Sequence, residues 1–293
     1  MTLRRRVESA FTLIEIMVVM GLLSFIILGL MAMFNQTQRA FRAGMAQTDQ
    51  LEGGRMFTDL ILRDLQQITP TYQTNGVNFF AEIPNYAPLR LTLPATSDPR
   101  TNILQDVFFM SRYNQNWNGV GYFVRTNPSY FGNVNLVGTL YRFETNVPVA
   151  QFIGDGYRPF LTFVNATNTS SISKVLDGVV EFHVQCFDNN GLLLTNGSPS
   201  IVSNSFWSIT NALSFGLPGV PENEVMFYGF SNNIVPAYVE LEVGVLEPAV
   251  LKRLRSIPSP ITQSNFLSSH AGNIQIFRQR VAIRNVDPSA YNP

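Results

Sequence analysis

The stretch FTLIEIMVVMGLLSFIILGLMAMF, residues 11–34, is apolar from Phe11 to Phe34 apart from Glu15, and Arg4, Arg5 and Arg6 precede it. As a helix, these twenty-four residues rise roughly 36 Å at about 1.5 Å per residue, enough to cross the hydrocarbon core of a bilayer. The chain therefore reads as membrane-anchored. Basic residues before the span put the N-terminus in the cytoplasm and everything after Phe34 outside. Arg39 and Arg42 reduce that asymmetry without reversing it. A secretory signal peptide fits less well: its apolar region is about 7–15 residues and ends at a small-x-small site. This run continues past Leu28, Leu30 and Met33.

Glu15 is the residue that needs explaining. A carboxylate in an apolar span costs up to about 3 kcal/mol at mid-membrane on the insertion scale. Cleavage after Ala10 would give Phe11 a free α-ammonium group one helical turn from Glu15, on its own chain or on a neighbour's. Opposite charges at about 4 Å attract by roughly 4 kcal/mol at an effective dielectric near 20, which would offset the burial. The other reading places Glu15 among headgroups at the edge of an ordinary anchor.

The segment Ala10-Phe11-Thr12-Leu13-Ile14-Glu15-Ile16-Met17-Val18-Val19 resembles the class III signal of type IV pilins and type II secretion pseudopilins. In that family a short basic leader stays in the cytoplasm, a prepilin peptidase cuts before the Phe, and the new N-terminus is usually methylated. The resemblance makes residues 1–10 the leader, Ala10 and Phe11 the processing site, and Glu15 the family's fifth-position glutamate, expected to act in assembly. The family usually has Gly before the cut, and Ala10 is the mildest departure from it.

Beyond the span, Phe41, Met45, Phe57, Leu60, Ile61, Leu65 and Ile68 recur at helical spacing, with Asp59, Arg63, Asp64 and Gln67 opposite or flanking. Pro70 stops the pattern. One helix is expected from about Thr12 to about Ile68, its assembly half at 11–34 and its amphipathic half at 35–69. Gly53-Gly54 interrupts it at about 1 kcal/mol each relative to alanine, either as a pivot or for close packing on a sheet.

Residues 70–293 read as one β-rich domain. Pro70, Pro84, Pro88, Pro94 and Pro99 make 70–106 a long loop with short strands. Strands are expected at 107–113, 120–125, 136–144, 179–187, 238–245 and 274–283, with a short helix at 247–255 ended by Pro258 and Pro260. In 179–187, Val180, Phe182, Val184 and Cys186 share one face while Glu181, His183 and Gln185 share the other, the alternation of a half-buried strand. Val239, Leu241, Val243 and Val245 alternate likewise with Glu240 and Glu242. Asp188-Asn189-Asn190-Gly191 reads as a turn into Leu192, Leu193 and Leu194. The expected fold class is α+β, pilin-like: a long N-terminal helix, membrane-spanning in its first half, on an antiparallel β-rich C-terminal domain.

Chemistry-bearing patterns are sparse. Formal net charge is zero and charged residues are 14% of the chain, so neither nucleic acid nor an acidic substrate is indicated. Cys186 is the lone cysteine, which excludes an intramolecular disulfide. His183, His270 and Cys186 form no zinc spacing, and the Asp188 to Gly191 turn lacks the ligand spacing of an EF-hand. No G-x-S-x-G elbow or Walker loop is present, so no catalytic residue, metal, cofactor or small-molecule substrate is nominated, and an enzyme is not expected. Phe206-Trp207, in a Ser/Asn-rich stretch, is a candidate partner contact.

Scattered segments are similar to the J subfamily of type II secretion minor pseudopilins. They are the helix end Arg55-Met56-Phe57-Thr58-Asp59-Leu60-Ile61-Leu62-Arg63-Asp64-Leu65, Val120-Gly121-Tyr122, Leu140-Tyr141-Arg142, Val175-Leu176-Asp177-Gly178-Val179, and Pro236-Ala237-Tyr238-Val239-Glu240-Leu241. That resemblance implies a structural subunit in a complex at the tip of a short periplasmic pseudopilus, with surplus length at 70–106 and 195–236. The implied partners are prepilin peptidase, other pseudopilins or pilins through the N-terminal helix, and inner-membrane lipid. The implied location is the bacterial inner membrane, with the C-terminal domain periplasmic. Two alternatives remain: a minor pilin of a type IV pilus, for twitching or DNA uptake, and a membrane-tethered periplasmic binding module.

Overall fold

The computed structural model describes residues 12–73, 76–84, 90–92, 99–126, 137–151, 158–160, 164, 172–195, 206–211 and 225–291. The leader, Ala10 and Phe11 lie outside the described residues. The chain divides into two compact units, Met1–Thr48 and Asp49–Pro293.

Helix α1, Leu13–Gln66, is 54 residues long and runs without a break through Gly53-Gly54. Its segment Leu13–Arg42 is long and apolar enough to cross a membrane, and none of it is buried inside the protein. The few hydroxyls there are satisfied within the helix: Ser24 Oγ donates to the Met20 carbonyl and Thr37 Oγ1 to the Met33 carbonyl. The helix ends two residues before Ile68. Gln67 and Ile68 donate their amides three residues back, to Asp64 and Leu65, tightening the last turn. Ile68 then bridges to Ser111 in extended conformation, still in the core.

In the second unit the strands are β1 Val77–Glu82, β2 Arg90–Thr92, β3 Pro99–Thr101, β4 Asp106–Tyr113, β5 Asn116–Thr126 and β6 Gly138–Pro148. They continue as β7 Ser173–Phe187, β8 Phe206–Asn211, β9 Val225–Ser231, β10 Tyr238–Leu246 and β11 Ile274–Ala282. Nine of them form one antiparallel sheet in the order β11-β10-β7-β6-β5-β4-β1-β9-β8, and β2 pairs with β3 alone. The central run β4-β5-β6-β7 is a meander of neighbours in sequence. β1, β8 and β9, by contrast, come from the two segments expected to hold surplus length, and they widen the sheet beyond β4. β5 starts four residues earlier than expected because Asn114, at φ 52°, closes a tight turn from β4.

Both faces of the sheet are covered. On one, Phe57, Ile61 and Leu65 of α1 bury against Phe79, Phe109, Tyr122, Phe182 and Leu241. Phe57 meets Tyr122 and Phe182 edge-on at 6.1 and 6.3 Å. On the other, Phe80, Phe108, Met110, Trp117, Phe123, Phe143 and Phe160 form a second cluster. The half-buried alternation expected of 179–187 therefore does not hold, since Glu181 is only 5% and His183 only 9% exposed.

Two further features of β7 depart from a simple alternation. A bulge, where Gly244 faces Glu181 but Val245 faces Val179, turns Val180 away from Phe182 and Val184 into a third cluster with Leu246, Val250 and Leu251. Beyond Val179, where its pairing with β6 ends, that side of β7 is met by residues 102–105. The Phe182 amide donates to the Ile103 carbonyl and Gln105 donates to the Phe182 carbonyl, while Asn102 Nδ2 and Gln105 Oε1 satisfy Val180 and Val184. The third cluster also holds two helices, α2 Pro248–Arg255 and α3 Pro260–Ser269. Only α2 was expected. Pro260 opens α3 at its first turn instead of ending α2, because a proline at that position gives up an amide that would be unpaired anyway.

Gly54 is explained by packing. A Cβ there would lie 2.1 Å from Cζ of Phe277 on β11, so the ring packs directly on the glycine and any side chain there would have to displace it. Nothing in the unbroken helix marks a pivot.

Candidate functional site: the head of the long helix and its docking face

Thr12 and Glu15 close a reciprocal cap at the start of α1. The Thr12 amide and Oγ1 both donate to Glu15 Oε2, each at 2.9 Å, and the Glu15 amide reaches back to Thr12 Oγ1 at 3.4 Å. This is a capping box, Thr at the cap and Glu three residues on, and it satisfies amides that the first helical turn leaves without partners. The negative charge also sits at the positive end of the helix dipole. Both donors converge on Oε2, so Oε1 is left open among the described residues. In the sequence Glu15 stands out for its charge and Thr12 does not, although Thr-x-x-Glu at the start of an apolar run is a readable capping signal.

The docking end of the same helix is held by a polar cluster on the sheet. Tyr122 Oη on β5 donates to Asp64 Oδ2 at 2.6 Å, and Arg142 Nε on β6 donates to the same oxygen at 2.8 Å. Arg142 also pairs with Glu144 at 2.5 Å. Burial raises the Tyr122 hydroxyl's pKa, and the Asp64 charge raises it further. For Arg142, burial works toward losing the proton, but its hydrogen bonds to Asp64 and Glu144 outweigh burial and raise its pKa. These residues lie 58 and 78 positions apart in sequence from Asp64, and no spacing rule links them.

The other singled-out residues do not converge. His183 and Cys186 are on opposite faces of β7, as expected; Cys186 is fully buried, and burial raises its thiol's pKa. The Asp188 to Gly191 turn is a self-contained reversal in which Asp188 Oδ1 accepts from the Asn190 and Leu192 amides. After it the chain turns back on β7: the Asp188 amide donates to the Leu192 carbonyl, the Leu194 amide donates to the Cys186 carbonyl, and Leu193 bridges to Phe187. Phe206 and Trp207 were expected in an insertion, and their backbone instead forms edge strand β8, paired with Ser231 and Phe230. Among the described residues no group of His, Cys, Asp and Glu could hold a metal ion. Among the described residues, what α1 carries is a capped apolar stretch at its head and an ion-paired helix-on-sheet joint near its C-terminal end.

Comparison with known families agrees with that reading at the N-terminus. The family described as the prokaryotic N-terminal methylation motif matches residues 5–31, which include the Ala10-Phe11 junction, Thr12 and Glu15. That motif is the prepilin signal of type IV pilin-like proteins, a structural group, and it implies processing by prepilin peptidase and assembly with other pilin-like subunits. No curated protein and no solved structure matches this chain.

Proposed function

We propose that the chain is a minor pseudopilin, a structural subunit of the periplasmic pseudopilus tip in type II protein secretion. Residues 1–10 serve as the leader, prepilin peptidase cuts between Ala10 and Phe11, and the new N-terminus is methylated. Residues 11–34 hold the subunit in the inner membrane until it is drawn into the filament, where they pack against equivalent helices. The observation that carries this reading is an acid capping the head of an apolar segment, Leu13–Arg42, that buries nothing within its own chain. A helix segment that is exposed over thirty residues among the described residues suits lipid or other helices.

In this reading Glu15 sets register. Its Oε2 stays with Thr12 while Oε1 accepts the α-ammonium group of a neighbouring subunit, so the cap and the intersubunit pair coexist. The J-type placement rests on the scattered segments named above. Neighbouring genes bear on the choice of filament: a secretin with further pseudopilins supports secretion, and a retraction ATPase supports a pilus.

The intact mass of membrane-extracted protein tests the proposal. Loss of residues 1–10 with gain of one methyl group is the expected result, and a product beginning at Met1 refutes it.

A further inference from the structure

We infer that Asn102 to Asp106 form a pH-sensitive strap, which lies closed along β7 in acid and is released from it as the medium becomes more alkaline. On its β10 side, β7 is held by a ladder that runs from Val179 to Phe187. On the other side its pairing with β6 stops at Val179, and the strap takes over from there. The strap's backbone meets β7 in an isolated parallel bridge, Leu104 to Phe182. In it the Phe182 amide donates to the Ile103 carbonyl at 2.7 Å and the Gln105 amide to the Phe182 carbonyl at 2.9 Å. To either side of the bridge, side chains stand in for strand. Asn102 Nδ2 donates to the Val180 carbonyl at 3.1 Å, and Gln105 Oε1 accepts from the Val184 amide at 2.6 Å. One long side of β7 is thus a continuous ladder, and this stretch of the other is a patch, the kind of contact that opens before the whole sheet does.

Two costs are built into the closed strap. Gln105 is fully buried, and its Nε2 has no hydrogen-bond partner among the described residues, so closure strands a donor that water would satisfy. Asp106, the next residue, is 4% exposed and lies directly opposite Glu82 of β1 in the strand register. Like charges facing each other across a strand pair repel. The charged groups that act on Asp106 among the described residues are Glu82 and, pulling the other way, Arg125 of β5. Burial, and then the Glu82 charge, raise the Asp106 pKa well above the ordinary carboxyl value, and burial raises that of Glu82 as well. Protonated, Asp106 is a neutral group that tolerates its place. Ionised, it is an enclosed charge facing a second acid, and release of the strap carries it into water. The open strap has an ordinary carboxyl near about 3.9. Since the closed-state value is the raised one, closure is strongest below about 3.9 and weakens as pH climbs from there to the closed-state value. What release uncovers is a length of strand edge, the amides of Phe182 and Val184 and the carbonyls of Val180 and Phe182.

The test is hydrogen exchange of the full chain in lipid nanodiscs, resolved to single amides by fragmentation mass spectrometry and corrected for the intrinsic rate, from about pH 4 to about pH 9. Successive amides of a strand point to opposite sides, so Phe182 and Val184 report on the strap while His183 and Gln185 report on the β10 ladder. Phe182 and Val184 should exchange faster than His183 and Gln185. Their opening should grow with pH by up to about tenfold per unit, the slope of one proton, until Asp106 is ionised. Asp106→Asn keeps the side chain neutral and should hold these amides at the same protection at every pH, with an unfolding midpoint no lower than wild type at neutral pH. Glu82→Gln removes the opposing charge, lowers the closed-state value of Asp106 and should end the rise at a lower pH. Phe182 and Val184 as protected as His183 and Gln185 throughout overturn the inference, because only wholesale unfolding then reaches this edge. A rise that survives in Asp106→Asn, or Glu82→Gln behaving as wild type, also overturns it, by assigning the titration to another group.

Discussion

Arg142→Met is the sharpest perturbation of the helix-on-sheet joint. It keeps most of the apolar stem and removes the guanidinium, so the Asp64 carboxylate, 12% exposed, is left with only the Tyr122 hydroxyl at 2.6 Å. Stranding a buried charge costs about 3–5 kcal/mol. Because Arg142 itself is 19% exposed and water reaches both partners, the expected cost is reduced to about 2–3 kcal/mol. That is a large share of the roughly 5–15 kcal/mol that holds a domain together. The assay is urea unfolding of the full chain in nanodiscs followed by circular dichroism, with hydrogen exchange across Phe57, Ile61 and Leu65 reporting whether the helix has loosened from the sheet. The double variant Asp64→Asn/Arg142→Met removes the stranded charge and should recover about 1–2 kcal/mol of the loss. A midpoint for Arg142→Met equal to wild type, or a double variant whose cost is the sum of the singles, refutes the claim that the ion pair locks the helix.

The two adjacent glycines should behave oppositely. Gly53→Ala has room, with the nearest atom 3.9 Å from the new Cβ, and should stabilise the chain by up to about 1 kcal/mol, whereas Gly54→Ala must displace the Phe277 ring and should lower the midpoint; equal effects would revive a pivot. Asp106→Asn should stabilise the fold at neutral pH, because burial, and then the Glu82 charge across the strand pair, raise this carboxyl's pKa against the pull of Arg125. The sign follows from linkage: with the folded value raised, stability is lost as pH rises through the unfolded value of about 3.9 toward the folded one, so the gain should vanish near pH 3 in unfolding titrations. Asp177 has the opposite sign, its contribution present above the unfolded value and lost as pH falls toward about 2. Glu15→Ala should abolish incorporation into filaments while leaving membrane insertion intact, and Thr12→Ala should weaken the cap by about 1 kcal/mol, with Thr12→Ser restoring it; normal incorporation of Glu15→Ala in a filament pull-down would remove the register role.

The apolar run, its single acid and the long helix were legible in the sequence because each depends on local spacing; the Thr12–Glu15 cap was as local, but its Thr-x-x-Glu signal was overshadowed by the charge of Glu15. Apolar spacing through Phe57, Ile61 and Leu65 identified the docking face, and the alternation of Val239, Leu241, Val243 and Val245 identified a sheet face, since period alone decides which side chains point together. What the pattern did not carry was the opposite face. Glu181 and His183 alternate like a solvent side, yet both are buried. α3 was missed because a proline that stops one helix is also suited to begin the next.

By itself, then, the sequence determined a long helix whose first part is apolar enough to cross a membrane, with an acid near its head and an amphipathic continuation, all local consequences of periodicity. Tertiary structure alone decided the strand order, the recruitment of β1, β8 and β9 into the main sheet, the bulge that redirects Val180, and the meeting of Asp64 with Tyr122 and Arg142. Those outcomes turn on which distant segment covers a face or supplies a counter-charge. Burial and charge pairing act through space across 58 and 78 residues of chain, where no periodicity reaches.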